Sequence, residues 1–251
     1  MRCARKPHLR ALGPVAQAVL DRRAYYNGSP MARISSRTRF APLERAFGGG
    51  RSPLLDSLAP LSVLYEDLRI ETFAIAADEQ ELKRLDELGS KYRVNYFLRR
   101  SIATLLEFEG VLHKLSKTPQ YKAARRNTDK DLIRKVEDAI RFFQEHHKLL
   151  KSLRNDIGGH FSDEAAAFAT RHAEPDTIAK LEITFHPSGK GGGAKLHYAG
   201  EIAATAFTRS LPGSKPLAEE IKGVICTIRE AYAQATGAMH ALVVAFLWDR
   251  F

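Results

Sequence analysis

The sequence predicts a mainly α-helical protein, a bundle of four or more helices with one inserted β-hairpin. Two observations support the bundle: apolar residues recur at steps of three and four over long stretches, and glycine and proline clusters separate those stretches. A third observation supports the hairpin. Near residues 180–199, apolar and polar residues alternate as they do in a strand with one buried face.

The first part of the chain is predicted to be a linker followed by short helices. Residues 33–60 contain Gly48-Gly49-Gly50 and several prolines, so we expect order to begin near Pro60, at the start of the first helix. A second, acidic helical stretch is expected from about Asp78 to Leu88. Gly89-Ser90 should separate it from the next helix.

Two longer helices are predicted next. Residues 91–117 have apolar side chains on more than one face, which is typical of a central helix in a bundle. After a cationic loop, Thr118 to Asn127, the spacing of Thr128 and Asp131 resembles a capping box at the start of the main helix. The apolar seam of that helix is Leu132, Val136, Ala139, Phe143, His146, Leu150, Leu153 and Ile157.

The main helix is predicted to end at Gly158 and Gly159. Each glycine costs about 1 kcal/mol relative to alanine inside a helix, and glycine readily adopts the left-handed conformation found at helix ends. Ser162 is the expected N-cap of the following helix, Asp163 to Arg171.

The remaining elements are the hairpin and a C-terminal helix. The expected strands are Lys180 to Phe185, half-buried, and Lys195 to Tyr198, on either side of a glycine-rich tip. That tip lacks the GxxxxGK[ST] order of a phosphate-binding loop. The last helix belongs to the bundle or to a dimer seam, and its apolar positions are Ile221, Ile225, Ile228, Tyr232, Ala235, Met239, Leu242 and Phe246.

The net charge of +10 comes almost entirely from the start of the chain. Residues 1–55 carry nine of these ten charges and are predicted to form a flexible basic arm, while residues 56–251 form the bundle. Residues 1–30 are either sequence upstream of a true start at Met31, a disordered arm or a binding tail. An Arg-rich transit peptide is a further interpretation, although Asp21 and two prolines would interrupt its helix.

The chain has only two cysteines, Cys3 and Cys226, without metal-binding spacing, which favours a reducing compartment. Its longest apolar stretch, residues 241–248, is far shorter than the roughly 20 residues of a membrane helix. We therefore expect a cytoplasmic protein with no membrane partner.

One helix end combines an arginine, an asparagine and a histidine. Arg154 and Asn155 precede the predicted break, and His160 follows it. On an unbroken helix the side chains of Arg154 and His160 would lie roughly 120° apart, so the break is what allows them to converge. Histidine exchanges protons near neutral pH, and a guanidinium can bind two phosphate oxygens. These side chains would suit RNA cleavage without a metal, with His160 taking the ribose 2′-hydroxyl proton, Arg154 binding the phosphate, and Asn155 holding the imidazole or a phosphate oxygen.

Arg154-Asn155, four further residues and His160 resemble the Rx4-6H signature of the HEPN superfamily of ribonucleases, in which a polar residue often follows the arginine. The resemblance covers the motif and its helical context. It implies an endoribonuclease of the toxin or defence type that leaves a 2′,3′-cyclic phosphate and a 5′-hydroxyl. It also implies catalysis by Arg154, Asn155 and His160, two motifs meeting across a homodimer, and an antitoxin protein as a candidate partner.

Two alternatives remain open: a non-catalytic helical module that binds a protein partner, and an RNA-binding protein with an inactive site. Arg154 would then contact only the helix C-terminal carbonyls, and His160 would be a buried histidine. The RNA target, the subfamily and any protein partner are left open as well.

No metal or cofactor is expected. A carboxylate metal site in a helical bundle needs ExxH pairs, and neither Glu145 with its neighbouring histidines nor Glu109 with His113 provides one. Glu107 and Glu109 are instead expected to pair with Arg99 or Arg100 in a structural ion pair, and a role in positioning Arg154 is the alternative.

Overall fold

In the computed structural model, the described residues are 39, 41–47, 52–76, 87–158, 162–172, 181–185, 192–196, 198–211 and 213–250. They are mainly helical, as the sequence predicts. The eight α-helices in this part of the chain are α1 (Leu43–Phe47), α2 (Pro53–Ala76), α3 (Glu87–Lys117), α4 (Pro119–Ala124), α5 (Lys130–Leu153), α6 (Asp163–His172), α7 (Tyr198–Arg209) and α8 (Leu217–Leu242). A π-helical turn extends α5 (Arg154–Gly158) and another extends α8 (Val243–Leu247), and a 3-10 turn follows (Trp248–Arg250).

The core lies between α2, α3, α5 and α8. α3 contacts α2, α5, α7 and α8, which confirms its predicted central position, and α5 packs along α8. Each fully buried large apolar side chain contributes about 1.5–3 kcal/mol relative to an exposed one, so these helices hold the bundle together. The largest of these side chains include Tyr121, Phe108, Phe143, Leu58, Leu61, Leu68, Ile102, Leu105, Leu150 and Leu153.

The expectation that the first helix begins at Pro60 is wrong, because α2 begins at Pro53 and runs through Pro60. The carbonyl of Ser52 accepts a hydrogen bond from the N–H of Asp56 at 2.8 Å, and Pro53 suits a first helical position. An internal proline costs about 3 kcal/mol. Burial of side chains on both sides of it, such as Leu58 and Leu61, offsets that cost.

α3 begins at Glu87 and passes through Gly89 and Ser90, so the predicted separation at these residues is wrong. One glycine costs about 1 kcal/mol, which a packed helix of 31 residues can offset. Most of the predicted acidic helix, Asp78 to Leu88, lies outside the described residues.

The expected loop after α3 contains a short helix, α4, and the predicted capping box is replaced by a different cap. Thr118 caps α4 by accepting from the N–H of Tyr121 at 3.2 Å. Asp129, not Thr128, caps α5, because its Oδ1 accepts from the N–H of Asp131 at 2.7 Å. The hydroxyl of Thr128 donates instead to the carbonyl of Ala124.

The apolar seams of α5 and α8 are inside the bundle. In α5, Val136, Ala139, Phe143, Leu150 and Leu153 are buried as predicted, while Leu132 is only half-buried because Ile133 takes the inward position. α8 packs on α5 and α2, so its seam serves the bundle within one chain.

Between α6 and α7, Leu181–Phe185 pairs antiparallel with Gly192–Leu196, and Leu181 lies opposite Leu196. The expectation of a half-buried strand is wrong, because Leu181 and Ile183 are each more than half exposed. Tyr198, expected in the second strand, begins α7 instead. The glycine-rich tip lies outside the described residues.

A contact between the two ends of the described chain corrects the expectation that order begins only near Pro60. Ala46 in α1 is fully buried, and its carbonyl accepts a hydrogen bond from Arg250 Nη1 at 2.8 Å. The guanidinium of Arg39 lies 4.2 Å from the centroid of the Trp248 ring and donates to the Trp248 carbonyl at 2.8 Å. Residues 1–38 lie outside the described part of the chain, so the flexibility of the arm stays a prediction.

Candidate functional site

The π-helical turn at the end of α5 carries two of the three predicted catalytic residues. The N–H of Arg154 donates to the carbonyls of Leu150 and Lys151, and the turn continues to Gly158, where the sequence predicted the helix to end. The side chains of Arg154 and Asn155 are exposed. His160 lies outside the described residues, so its convergence with Arg154 stays a prediction. π-Helical turns are frequent at functional sites, where they reorient side chains.

Two buried side chains anchor this turn to the core of the bundle. Leu153 precedes it and is fully buried, and Ile157 within it is 3% exposed. Because both point into the core, the residues between them face outward or sideways. Burial of Leu153 and Ile157 therefore orients the turn so that Arg154 and Asn155 face solvent.

Asp156 fastens the turn to α7 from the side. Its Oδ1 accepts a hydrogen bond from Arg209 Nη1 at 2.8 Å, and its Oδ2 accepts from the Ser210 hydroxyl at 2.6 Å. The Asp156 side chain is 15% exposed and that of Arg209 is 35% exposed, so water screens the ion pair only in part. Both carboxylate oxygens are thus used to hold the turn.

α6 begins beside this turn with the N-cap that the sequence predicts. The hydroxyl of Ser162 accepts a hydrogen bond from the N–H of Ala165 at 3.0 Å, and the helix runs from Asp163 to His172. Hydrogen bonds from the backbone N–H of Glu164 and from the Ser162 side chain lower the pKa of the Glu164 carboxyl, and the charge of Arg209 adds to this effect. Glu164 is therefore held in its charged form.

An open cleft of about 420 Å³ lies between α6 and the end of α7. The Phe168 and His172 rings, which line it, are stacked with centroids 4.2 Å apart and planes 19° apart. Its other lining residues are Asp163, Glu164, Ala167, Arg171 and Arg209. Arg209 thus belongs both to this cleft and to the ion pair that holds the π-helical turn.

Of the other residues considered from sequence, His146, His147 and Glu109 have ordinary structural partners. His146 is half-buried, and its ring stacks on Phe142 with centroids 4.3 Å apart. His147 Nδ1 lies 2.8 Å from Glu109 Oε1, so the expected pairing of Glu109 with Arg99 or Arg100 is wrong.

Glu107 is exposed, and Arg100 lies 3.7 Å from Glu71 instead of pairing with either carboxylate named from sequence. Within the described residues, no group of three or more His, Cys, Asp or Glu side chains is arranged to hold a metal ion.

No protein-family model, curated protein or solved structure matches this chain. None of the helices in the described part of the chain is both long enough and apolar enough to cross a membrane. The residues around the π-helical turn and the sequence motif they carry remain as the indication of function.

Proposed function

We propose that this protein is a metal-independent endoribonuclease that resembles the HEPN ribonucleases. The observation that supports this most directly is the exposure of Arg154 and Asn155 on a turn that Asp156 holds in place. A phosphate-binding guanidinium needs to be accessible and well positioned, because a displacement of about 1 Å can reduce a rate 100-fold.

In the proposed reaction, His160 takes the proton of a ribose 2′-hydroxyl, and the 2′-oxygen attacks the adjacent phosphorus. The bond from phosphorus to the 5′-oxygen breaks, and that oxygen takes up the proton that the imidazolium of His160 returns. The products are a 2′,3′-cyclic phosphate and a 5′-hydroxyl. Arg154 neutralises the charge that grows on the phosphorane, and Asn155 orients either the imidazole or a phosphate oxygen.

We also propose an oligomeric state, a protein partner and a cellular location. Two motifs would meet across a homodimer, and an antitoxin protein would restrain an enzyme of the toxin or defence type. Cytoplasmic location agrees with the low cysteine content of the chain.

The test is cleavage of RNA by the purified full-length chain. Arg154→Ala and His160→Ala should each reduce the rate by at least about 100-fold, since acid-base catalysis alone contributes 10²- to 10⁴-fold. EDTA should leave the wild-type rate unchanged. Matched controls are Arg134→Ala, an exposed arginine of α5, and His240→Ala, an exposed histidine of α8. Both control variants should cleave at the wild-type rate.

Unchanged cleavage in the Arg154 and His160 variants, or intact RNA after incubation with the wild type, would contradict the ribonuclease proposal. A helical protein-interaction module would then be the better account. One feature favours this second candidate: Val63, Ile70 and Phe73 on α2 are 62%, 63% and 72% exposed, respectively. Their spacing of seven and three residues puts them on one side of the helix.

A further inference from the structure

The cleft between α6 and the end of α7 combines three kinds of group that recognise a nucleotide. The stacked Phe168 and His172 offer ring surface, Arg171 and Arg209 offer positive charge, and Asp163 and Glu164 offer carboxylates. Aromatic rings stack on bases, and arginine binds phosphate. We propose that this cleft binds one nucleotide of single-stranded RNA, with its base on the ring pair and its phosphate between Arg171 and Arg209.

One backbone hydrogen bond holds the His172 ring of the aromatic surface in place. His172 Nδ1 lies 2.9 Å from the Phe168 carbonyl oxygen, one helical turn earlier, which fixes the imidazole over the phenyl ring. Because the rings are ordered before the ligand arrives, a base can stack without the entropy loss of arranging them.

The two arginines are ordered in the same way. Arg171 Nε donates to the carbonyl of Ala167 at 3.0 Å, and Arg209 Nη1 donates to Asp156. A guanidinium has five N–H groups, so each arginine keeps donors for phosphate after these bonds are made. The ion pair with Asp156 also places this phosphate site next to the turn that carries Arg154.

The carboxylate sets a preference among bases. Glu164 is charged, and a charged carboxylate accepts hydrogen bonds but cannot donate them. The exocyclic amino group of cytosine can donate to it, whereas uracil has a carbonyl oxygen at the same ring position. The cleft should therefore bind cytidine more tightly than uridine.

The choice of RNA as the ligand rests on the proposed ribonuclease function, so binding and cleavage are measured separately. The probes are fluorescent hexacytidine and hexauridine with 2′-O-methyl groups, which lack the nucleophile and cannot be cleaved. Fluorescence anisotropy with the full-length protein gives Kd for each probe.

Phe168→Leu and Arg171→Ala should each weaken hexacytidine binding about tenfold. Arg134→Ala, on the exposed face of α5, is the matched control and should bind as the wild type does. Wild-type protein should prefer hexacytidine to hexauridine about tenfold, and Glu164→Gln should reduce that preference. Because Arg171 is exposed, its variant tests the site even if Phe168→Leu unfolds.

Wild-type binding by both the Phe168 and Arg171 variants, equal affinity for the two probes, or equal losses in Arg134→Ala would overturn the proposal. Binding at the cleft by a protein that leaves RNA uncut would support this inference and refute the ribonuclease. If the protein cleaves RNA and both cleft variants bind the probes as the wild type does, the ribonuclease proposal is supported and this inference is refuted.

Discussion

Replacing Asp156 with alanine should destabilise the fold and loosen the turn that carries Arg154 and Asn155. The change removes one hydrogen bond to Arg209 and one to Ser210, each made by a charged group. Such bonds contribute about 1.5–3 kcal/mol each when buried. Because the Arg209 side chain is 35% exposed, its share is smaller, and we expect a total loss of about 2 kcal/mol.

Thermal unfolding followed by circular dichroism measures this loss. For a protein of this size, 1 kcal/mol corresponds to about 2–4 °C, so Tm should fall by about 4–8 °C. Asp138→Ala is a matched control on the same helix, because Asp138 pairs with the exposed Arg141. That variant should lose less than about 1 kcal/mol.

A double-mutant cycle separates the ion pair from other effects. Asp156→Ala and Arg209→Ala should show a coupling energy of about 1 kcal/mol, because the two side chains share a hydrogen-bonded contact. RNA cleavage should fall in Asp156→Ala at temperatures where the variant is fully folded. A Tm equal to that of Asp138→Ala, or a coupling energy near zero, would refute the view that this carboxylate holds the turn.

Three further predictions concern stability. Burial raises the pKa of Glu71 despite opposing effects from Thr104 and Arg100, so ionisation of Glu71 destabilises the fold. This destabilisation is absent at low pH and grows as pH rises from the ordinary glutamate pKa to the raised one. Glu71→Gln should therefore raise Tm at pH 8, with a gain that shrinks toward pH 4. Burial raises the pKa of Tyr121 to about 12, and its hydroxyl has no hydrogen-bond partner among the described residues. Tyr121→Phe should shift the free energy of unfolding, measured in urea, by zero to about +1 kcal/mol, and a loss would contradict this. Deletion of residues 1–30 should leave Tm unchanged, whereas deletion of residues 1–47 should lower it by at least about 2 °C, because α1 and Arg39 contact the C-terminal end.

Apolar periodicity predicts the helices that bury large side chains on one face. α5 and α8 follow it closely, since Phe143 and Leu150 in one and Ile221 and Leu242 in the other occupy the expected inward positions. A neighbouring residue can still occupy an expected inward position. Ile133 is buried and Leu132 is not, because both are apolar and the rotation of the helix about its axis decides which one faces inward.

The sequence does not predict α7, because its buried face consists of small residues apart from Phe207. Ala203, Ala204 and Ala206 are buried there, and α6 buries Ala165 and Ala169. Alanine permits close approach of two helices but gives a weak hydrophobic pattern. The packing of α6 on α7, which forms the cleft, is therefore difficult to predict from the sequence.

Helix ends were harder to predict than helices. Pro60 and Gly89 are strong local signals for a break, yet α2 and α3 continue through them. Their local cost is a few kcal/mol at most, and tertiary packing on either side exceeds it. Local rules hold where a side chain supplies the missing hydrogen bond, as Ser162 does at the start of α6.

The candidate site, like the helix ends, can be predicted from the sequence only in part. The exposure of Arg154 and Asn155 follows from the seam, because neither lies at an inward position. The role of Asp156 cannot be predicted, because its partner Arg209 lies 53 residues further along the chain. Phe168 and His172 did have a local signal, since residues four apart on a helix meet on one face. That signal predicts a contact between two rings but not a binding site, and neither residue belongs to the motif.

Arg209 connects the two proposed activities physically. Its bond to Asp156 uses one N–H of Nη1, so the rest of the guanidinium can face the cleft that it also lines. A phosphate bound there would draw Arg209 toward it, while the carboxylate of Asp156 keeps the guanidinium beside the turn. A nucleotide in the cleft would thus lie one ion pair away from the turn of Arg154.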